Sequence, residues 1–483
     1  MQYETIIGLE IHVQLNTRSK AFCSDAVAFG GAPNTHTSVI SLAHPGTLPR
    51  TNKAQIQSAV KLGLALGCKI NQRNTFDRKN YFYADLPKGY QITQDKLPIC
   101  IGGSIPIRLA DGTEKIIRFH HLHCEEDAGK SLHDQDPTKS FIDLNRAGTP
   151  LLEIVTEPDL RSGEEVDACM SAMRQLVRWL NISDGNMEEG SMRCDVNVSV
   201  RPIGTDILNT RCEVKNVNSM RFARRAVEYE SNRQIKLIEN GGQVVQSTLN
   251  FDPVTGITTP LRSKENAHDY RYFPDPDLPP VIISDSWLLE IKSTLNETPW
   301  QAREILKNKF GLSANDAQII ADDYAVYNFY LEKTADIDNR FYRPTANLLI
   351  NKLLPMVKEK NIELSEVSFS NVQLKEFLEL IETNVVSNSM AYQTLLPAIL
   401  ENENASPKTL AGTLNLIQSS DTNEMNNWIQ NVIEKNPEKV KEYQKGKKGL
   451  IGFFMGEIMR ISKGKADPKT TQSILQKKLE ERL

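Results

Sequence analysis

Residues 7–15, Ile-Gly-Leu-Glu-Ile-His-Val-Gln-Leu, alternate apolar and polar positions without a break. A period of two gives a β-strand one apolar and one polar face, and here it sets Glu10 and His12 side by side on the polar one. Taken alone, the ordinary reading is a half-exposed strand of an antiparallel sheet. The design returns, however. At 116–127, His121, His123, Glu125 and Asp127 occupy alternate positions. The stretch 141–158 reads as a strand, a turn at Gly148 and a second strand carrying Glu153 and Glu157 on one side. At 191–201, Arg193, Asp195, Asn197, Ser199 and Arg201 share a polar face, and 211–218 adds Glu213, Lys215 and Asn218. Helical spacing marks 55–66, 221–239 and 162–180, the last opened by Ser162 as N-cap with Glu164 and Glu165 in its first turn.

Between these elements, 22–49 is rich in Gly, Pro, Asn, Ser and Thr and reads as irregular loop. A proline-dense strip at 268–280, His-Asp-Tyr-Arg-Tyr-Phe-Pro-Asp-Pro-Asp-Leu-Pro-Pro, reads as a rigid boundary. Beyond it, 300–401 is mainly helical, the polar run 401–408 looks like a turn or linker, and the tail from about 409 is helical again.

Length and composition narrow the class. At 483 residues the chain is too long for a single core. Hydrophobic content of 40% and charged content of 24% are those of an ordinary soluble globular protein. No apolar run approaches the roughly 20 residues of a membrane helix, and a strand beginning almost at the first residue leaves no room for a targeting peptide. Seven scattered cysteines, none in a CxxC pair, point to a reducing cytoplasm. With a formal net charge of −4, any face for nucleic acid must be local. The basic cluster Lys439, Lys441, Lys445, Lys447 and Lys448, followed by Arg460, Lys463 and Lys465, is one such candidate; a solvated helical face is an equal alternative.

The polar faces together present Glu10, His12, Glu125, Glu153 and Asp195. Four carboxylates on one surface repel one another and call for cations. Oxygen ligands with one imidazole suit Mg²⁺ or Mn²⁺, which commonly arrive with phosphates. Arg193 and Lys215 on neighbouring strands are placed to clamp phosphate oxygens, the equipment of phosphoryl transfer. The segment 76–90 mixes tyrosines with Arg78, Lys79 and Lys88, which suits base stacking and phosphate contact as well as it suits an aromatic core patch. Ala128-Gly-Lys-Ser131 imitates the end of a phosphate-binding loop, but Cys124 stands where its first glycine belongs and an acidic run precedes it.

Five longer motifs carry a resemblance: Gly8-Leu-Glu-Ile-His-Val-Gln14, Glu125-Glu-Asp-Ala-Gly-Lys-Ser131, Ala147-Gly-Thr-Pro-Leu-Leu-Glu-Ile-Val-Thr-Glu-Pro-Asp159, Gly190-Ser-Met-Arg-Cys-Asp-Val-Asn197 and Asp269-Tyr-Arg-Tyr-Phe-Pro-Asp-Pro-Asp-Leu-Pro279. Together with Gly446-Lys-Lys-Gly-Leu-Ile-Gly-Phe-Phe-Met-Gly456 and Lys463-Gly-Lys-Ala-Asp-Pro468, they resemble the B-subunit (GatB) family of the tRNA-dependent aspartyl/glutamyl amidotransferases over the whole chain. The resemblance implies an α+β fold: an antiparallel β-sheet cradle with flanking helices, related to glutamine synthetase, then an all-helical domain and a small helical tail. The corresponding domains are 1–292, 293–405 and 406–483, the last two binding tRNA. It implies a glutamine-hydrolysing carbon–nitrogen ligase in which this chain acts with the amidase (A) and small (C) subunits of the same complex. There this chain would bind Glu-tRNA(Gln) or Asp-tRNA(Asn) and use ATP and Mg²⁺ to phosphorylate the side-chain carboxylate. Ammonia from the amidase would then displace the phosphate. Carried over by motif, Glu10, His12, Glu125, Glu153 and Asp195 are the catalytic and Mg²⁺-site residues. Glu157, Arg193, Lys215 and Asn218 are implied in phosphate or substrate contact, and Lys79 and Lys88 join them as cofactor-site candidates from the basic, aromatic segment.

Two departures stand out. Some members hold a four-cysteine zinc in the loop after the first strand; here Cys23, Asp25, Ser38 and Ser41 stand at those places, and two hydroxyls are poor zinc ligands, so no zinc is expected. His120, His121 and His123 are denser than the family pattern; His123 fits it, and the other two read as surface or packing residues. From another class, a non-catalytic RNA-binding scaffold and a metal-dependent nuclease compete with this reading. No Ser- and Gly-rich amidase segment is visible.

Overall fold

A computed structural model of the chain describes residues 2–133, 136, 138–263, 270–418, 422–462 and 464–480. His268, Asp269 and Lys463 of the motifs above lie outside them. The chain gathers into two compact units, Met1–Trp300 and Gln301–Leu483.

The first unit is built on one ten-stranded sheet. The Tyr3–Gln14 strand lies at its centre, antiparallel to Pro150–Thr156 on one side and Met192–Pro202 on the other. Beyond Pro150–Thr156 comes Glu114–Glu126, and beyond Met192–Pro202 come Cys212–Lys215, Ser247–Phe251 and Thr258–Ser263. The sheet is antiparallel apart from one parallel pair, Cys212–Lys215 with Ser247–Phe251, so it is mixed rather than purely antiparallel.

The alternation of the first strand decides its burial. Ile7, Leu9, Ile11 and Val13 are buried, and Glu10, His12 and Gln14 stay partly open. The apolar face packs on three helices: Lys53–Ala65 through Ile56 and Val60, Gly163–Trp179 through Val166, Met170 and Met173, and Met220–Glu239 through Ala223 and Val227. Each large side chain buried there contributes about 1.5–3 kcal/mol. Ser162 caps its helix as expected, accepting the Glu165 N–H.

The strand, turn and strand expected over 141–158 form, but the two strands do not pair with each other: Phe141–Asp143 pairs with Lys130–Leu132 in a separate two-stranded sheet. Gly148 still makes the turn between them, at φ +85°, where an L side chain is strained. The proline-dense strip is also more than a boundary, since Phe273–Pro274 pairs with Asp77–Asn80, which in turn pairs with Tyr90–Thr93. The Lys130–Leu132 strand means that Ala128-Gly-Lys-Ser131 opens no helix, so this mimic lacks the helix N-terminus that a phosphate-binding loop feeds.

Residues 22–49 hold no regular strand or helix. At the four places discussed above, the Asp25 carboxylate accepts the Ser38 N–H at 2.9 Å and the Ser41 hydroxyl, and Cys23 Sγ lies 3.5 Å from Ser41 Oγ. The Lys20 ammonium, fully buried, donates to the carbonyls of His36 (2.7 Å) and Leu144 (3.2 Å) and reaches Ser41 Oγ at 3.4 Å.

The second unit is helical among its described residues. Two helices each contain a π turn, Leu349–Leu353 and Ala391–Leu395, and each turn closes with an i+5 bond, Leu354 N–H to Leu349 O and Leu396 N–H to Ala391 O. Leu-Leu-Pro ends both stretches, at Pro355 and Pro397. Proline offers no N–H and its ring crowds the carbonyl four residues back, so the widened turn relieves both problems. The tail has its own apolar core of Ile429, Val432, Ile433, Tyr443, Phe454, Ile458, Leu475 and Leu479.

Candidate active site

Strand register brings the polar faces together. His12 stands opposite Glu153 on one side and Arg193 on the other, Glu153 stands opposite His123, and Glu10 stands opposite Asp195. Partners across a sheet share a face, so these residues form two rungs of one polar surface. The first rung leads into a cluster of His12, Glu125 and Glu153; a second cluster holds Glu10, Asp195 and Glu213. Within each cluster the three ligand atoms lie within 4.8 Å of one another.

In the first cluster, His12 Nε2 is 3.2 Å from Glu153 Oε2, and His123 Nε2 reaches both Glu125 Oε1 (3.0 Å) and Glu153 Oε2 (3.5 Å). Glu125, 3% exposed, also accepts from Thr93 Oγ at 2.8 Å and Gln91 Nε2 at 3.1 Å. Both donors come from the Tyr90–Thr93 strand, so the small sheet built on Asp77–Asn80 overhangs the cluster. Burial and the neighbouring Glu153 each push Glu125 up, but the His123 bond and the charges of His123 and Lys79 outweigh them and hold it below the ordinary carboxylate range. Burial also opposes ionisation of Glu153, and His123, His12 and Lys79 overcome it in the same way. Burial lowers His12 and His123, yet the carboxylates raise both above the ordinary imidazole value. Lys79, opposed by burial, is raised chiefly by Glu125, with Tyr272 and Glu153 adding. The acids of the cluster thus hold His12, His123 and Lys79 beside them, the behaviour of a surface suited to a cation.

In the second cluster Lys215 bridges Asp195 (2.5 Å) and Glu213 (2.8 Å), and these acids raise it against the pull of burial. Glu10 accepts from Asn197 at 2.9 Å. Burial and then Glu153 raise it above the ordinary carboxylate range. Glu213, which also accepts from Thr248 at 2.9 Å, was not among the site residues expected from sequence. Its signal was present: it stands two positions before Lys215 and so shares that lysine's face.

The other expected residues have partners or positions outside the two clusters. Arg193 is held by Asp127 at 2.8 Å, which also takes Gln14 at 2.6 Å. Lys88 pairs with Glu126, the residue after Glu125 and therefore on the opposite face of its strand. Asn218 is exposed just before Ser219, the N-cap of the Met220–Glu239 helix. His120 and His121 do more than pack: His120 Nδ1 is 2.7 Å from His121 Nδ1, and His121 Nε2 is 3.1 Å from His123 Nδ1, a file of rings running from an exposed residue to Glu125. Burial, reinforced by His123 and His120, pushes His121 down to about 4.

The surface lies inside a recognised domain. A family described as the GatB/GatE catalytic domain matches residues 5–289, and one described as the GatB domain matches 329–479. Three relatives are named as the B subunit of aspartyl/glutamyl-tRNA(Asn/Gln) amidotransferase. That of Thermodesulfovibrio yellowstonii is 43% identical over 481 residues, covering 100% of both chains. Those of Pseudomonas fluorescens and Geotalea daltonii are 46% and 45% identical, each covering 99% of this chain and 100% of the relative. With every motif of the polar surface inside the matched span and the relatives equal to it from end to end, the chain belongs to the GatB family.

Proposed function

We propose that this chain serves as the B subunit of an aspartyl/glutamyl-tRNA amidotransferase, acting with the amidase (A) and small (C) subunits on tRNA charged with Glu or Asp. The observation that carries this is the pair of acid clusters on one sheet face, set in a domain matched from end to end by proteins of that name. The chemistry follows from the substrate. A carboxylate is a poor electrophile; an oxygen of the side-chain carboxylate attacks the γ-phosphorus of ATP, ADP departs, and an acyl phosphate results. Ammonia then attacks the carbonyl carbon, phosphate leaves, and one proton is released as the amide forms.

The donor sets fit Mg²⁺. His12, Glu125 and Glu153 would hold one ion, and Glu10, Asp195 and Glu213 a second, since each set is oxygen-rich and closely spaced. Bound there, Mg²⁺ would neutralise phosphate oxygens. The chain's own groups do the rest. Lys79 and Lys215 supply positive charge beside the two clusters, Gln91 and Thr93 fix the direction of Glu125, and His123 holds Glu125 and Glu153 apart in a set geometry. At the loop position where some members hold zinc, a half-buried thiol whose pKa burial raises, a carboxylate already holding two donors and a lysine ammonium at 3.4 Å from Ser41 argue against zinc.

The catalytic domain in this reading is 1–292, with 293–405 and 406–483 binding tRNA; the tail has an apolar core of its own from Ile429 onward, while Ile417 still bridges Val386 of the preceding segment. Among the described residues no helix is long and apolar enough to cross a membrane, and all seven cysteines are unpaired, which supports a cytoplasmic setting.

Phosphate release from ATP by the reconstituted complex tests the reading. Release is expected to require Mg²⁺ and to rise on addition of Glu- or Asp-charged tRNA but not of uncharged tRNA. Equal release with both tRNAs would remove carboxylate activation from the account. Cleavage of the tRNA without ATP would favour a nuclease.

A further inference from the structure

One wall above the first cluster is aromatic. Tyr81 and Tyr83 follow the Asp77–Asn80 strand, and Tyr270 and Tyr272 lie on the strip that pairs with it. Their rings form a chain: Tyr83–Tyr81 5.7 Å, Tyr81–Tyr270 6.3 Å and Tyr270–Tyr272 5.9 Å between centroids, each pair close to edge-on. Lys79 Nζ lies 5.0 Å from the Tyr270 centroid. Lys79 faces the cluster as well: it stands opposite Gln91, and Gln91 binds Glu125.

The strip does not need these rings to hold it. Asn80 donates to the carbonyls of Tyr270 and Arg271 at 2.9 Å, and Arg78 binds Asp275 at 2.8 Å and Asp277 at 2.7 Å. Even so, Tyr83 is 59% exposed and Tyr272 38%, and Phe82, between Tyr81 and Tyr83 in sequence, is 86% exposed. Open aromatic faces beside a cation, at the rim of a phosphate-handling site, are what an unpaired nucleobase stacks on.

We infer that this wall seats an adenosine, that of the 3′ end of the charged tRNA. The inference rests on the proposed function, under which two molecules bring an adenosine here, ATP and the tRNA terminus. The terminal adenosine of a tRNA carries the amino acid on its ribose, so stacking it on Tyr272 and Tyr270 leaves the amino acid beside Lys79, whose ammonium suits a side-chain carboxylate at the rim of the first cluster. Stacking without base-edge readout also suits an end that is the same in every tRNA.

Steady-state kinetics of the whole complex decide it, with charged tRNA and ATP varied separately for wild type, Tyr83→Leu, Tyr272→Leu and Tyr272→Phe. Losing one stacking ring is expected to raise KM for charged tRNA about tenfold in each leucine variant, with kcat and KM for ATP near wild type. Tyr272→Phe keeps its ring and should behave as wild type, which also controls for folding. A rise in KM for ATP in place of that for tRNA would assign the wall to the nucleotide and overturn the inference. Unmoved KM values in both leucine variants, with wild-type release still dependent on charged tRNA, would overturn it alone. A wild-type complex indifferent to the tRNA's charge would overturn it together with the proposed function.

Discussion

Glu125→Gln is expected to lower ATP-dependent amide formation about a thousandfold or more, while the protein stays folded. The substitution preserves size and removes one negative charge from the cluster of His12, Glu125 and Glu153. Loss of a ligand charge from a metal site removes several kcal/mol of transition-state stabilisation, and each 1.36 kcal/mol is a factor of ten in rate. The effect on stability is smaller. Glu125 accepts from Thr93, Gln91 and His123, and a glutamine side chain presents one NH₂ to these donors where an oxygen had stood, costing about 1–3 kcal/mol. Rate and stability therefore separate: a large fall in kcat measured by amide formation, with a modest fall in urea midpoint. Activity within tenfold of wild type would mean that Glu125 only organises structure, as the scaffold alternative holds.

The largest stability loss is expected from Lys88→Met, about 3–5 kcal/mol in urea unfolding of the full chain. Glu126 is 2% exposed, and its carboxylate has two partners on one oxygen, the Lys88 ammonium and the Ile92 N–H at 3.0 Å. Removing the lysine leaves a buried carboxylate with one hydrogen bond, and an unmatched buried charge is far costlier than a missing pair. The double variant Lys88→Met/Glu126→Gln should accordingly recover most of the loss. Methionine replaces most of the lysine stem, and its thioether suits the Tyr90 and Phe22 rings that lie 5.5 and 5.7 Å from Lys88 Nζ, so a cavity does not account for the effect. A single variant costing under about 1 kcal/mol would show that the pair contributes little beyond its hydrogen bonds.

Much of the sheet was legible because its signal is local. The alternation at 7–15, 116–127 and 191–201 is enough to say which side chains share a face, and the capped helix at 162–180 declares its own start. Adjacency is a different kind of information. Nothing in the period of two says that Glu153 lies between His12 and His123, or that Phe141–Asp143 pairs with Lys130–Leu132. The family motifs filled that gap for the five principal residues, since they name positions without needing the register. They did not fill it for the cations. Arg193 binds Asp127, 66 residues away in sequence, and Lys88 binds Glu126, 38 away, so two lysine- and arginine-bearing positions that composition reads as phosphate clamps are engaged with acids. Glu213 and the π turns were within reach: the first shares a face with Lys215, and the second follows from a repeated Leu-Leu-Pro.

The central claim is that a side-chain carboxylate oxygen attacks phosphorus. Charging the tRNA with glutamate or aspartate labelled with ¹⁸O in its side-chain carboxylate, and weighing the phosphate released during amidation by the complex, follows that oxygen directly. Activation through an acyl phosphate predicts one ¹⁸O atom in each phosphate formed. Unlabelled phosphate alongside normal amide formation would contradict it, because the carboxylate would then never have been joined to phosphorus.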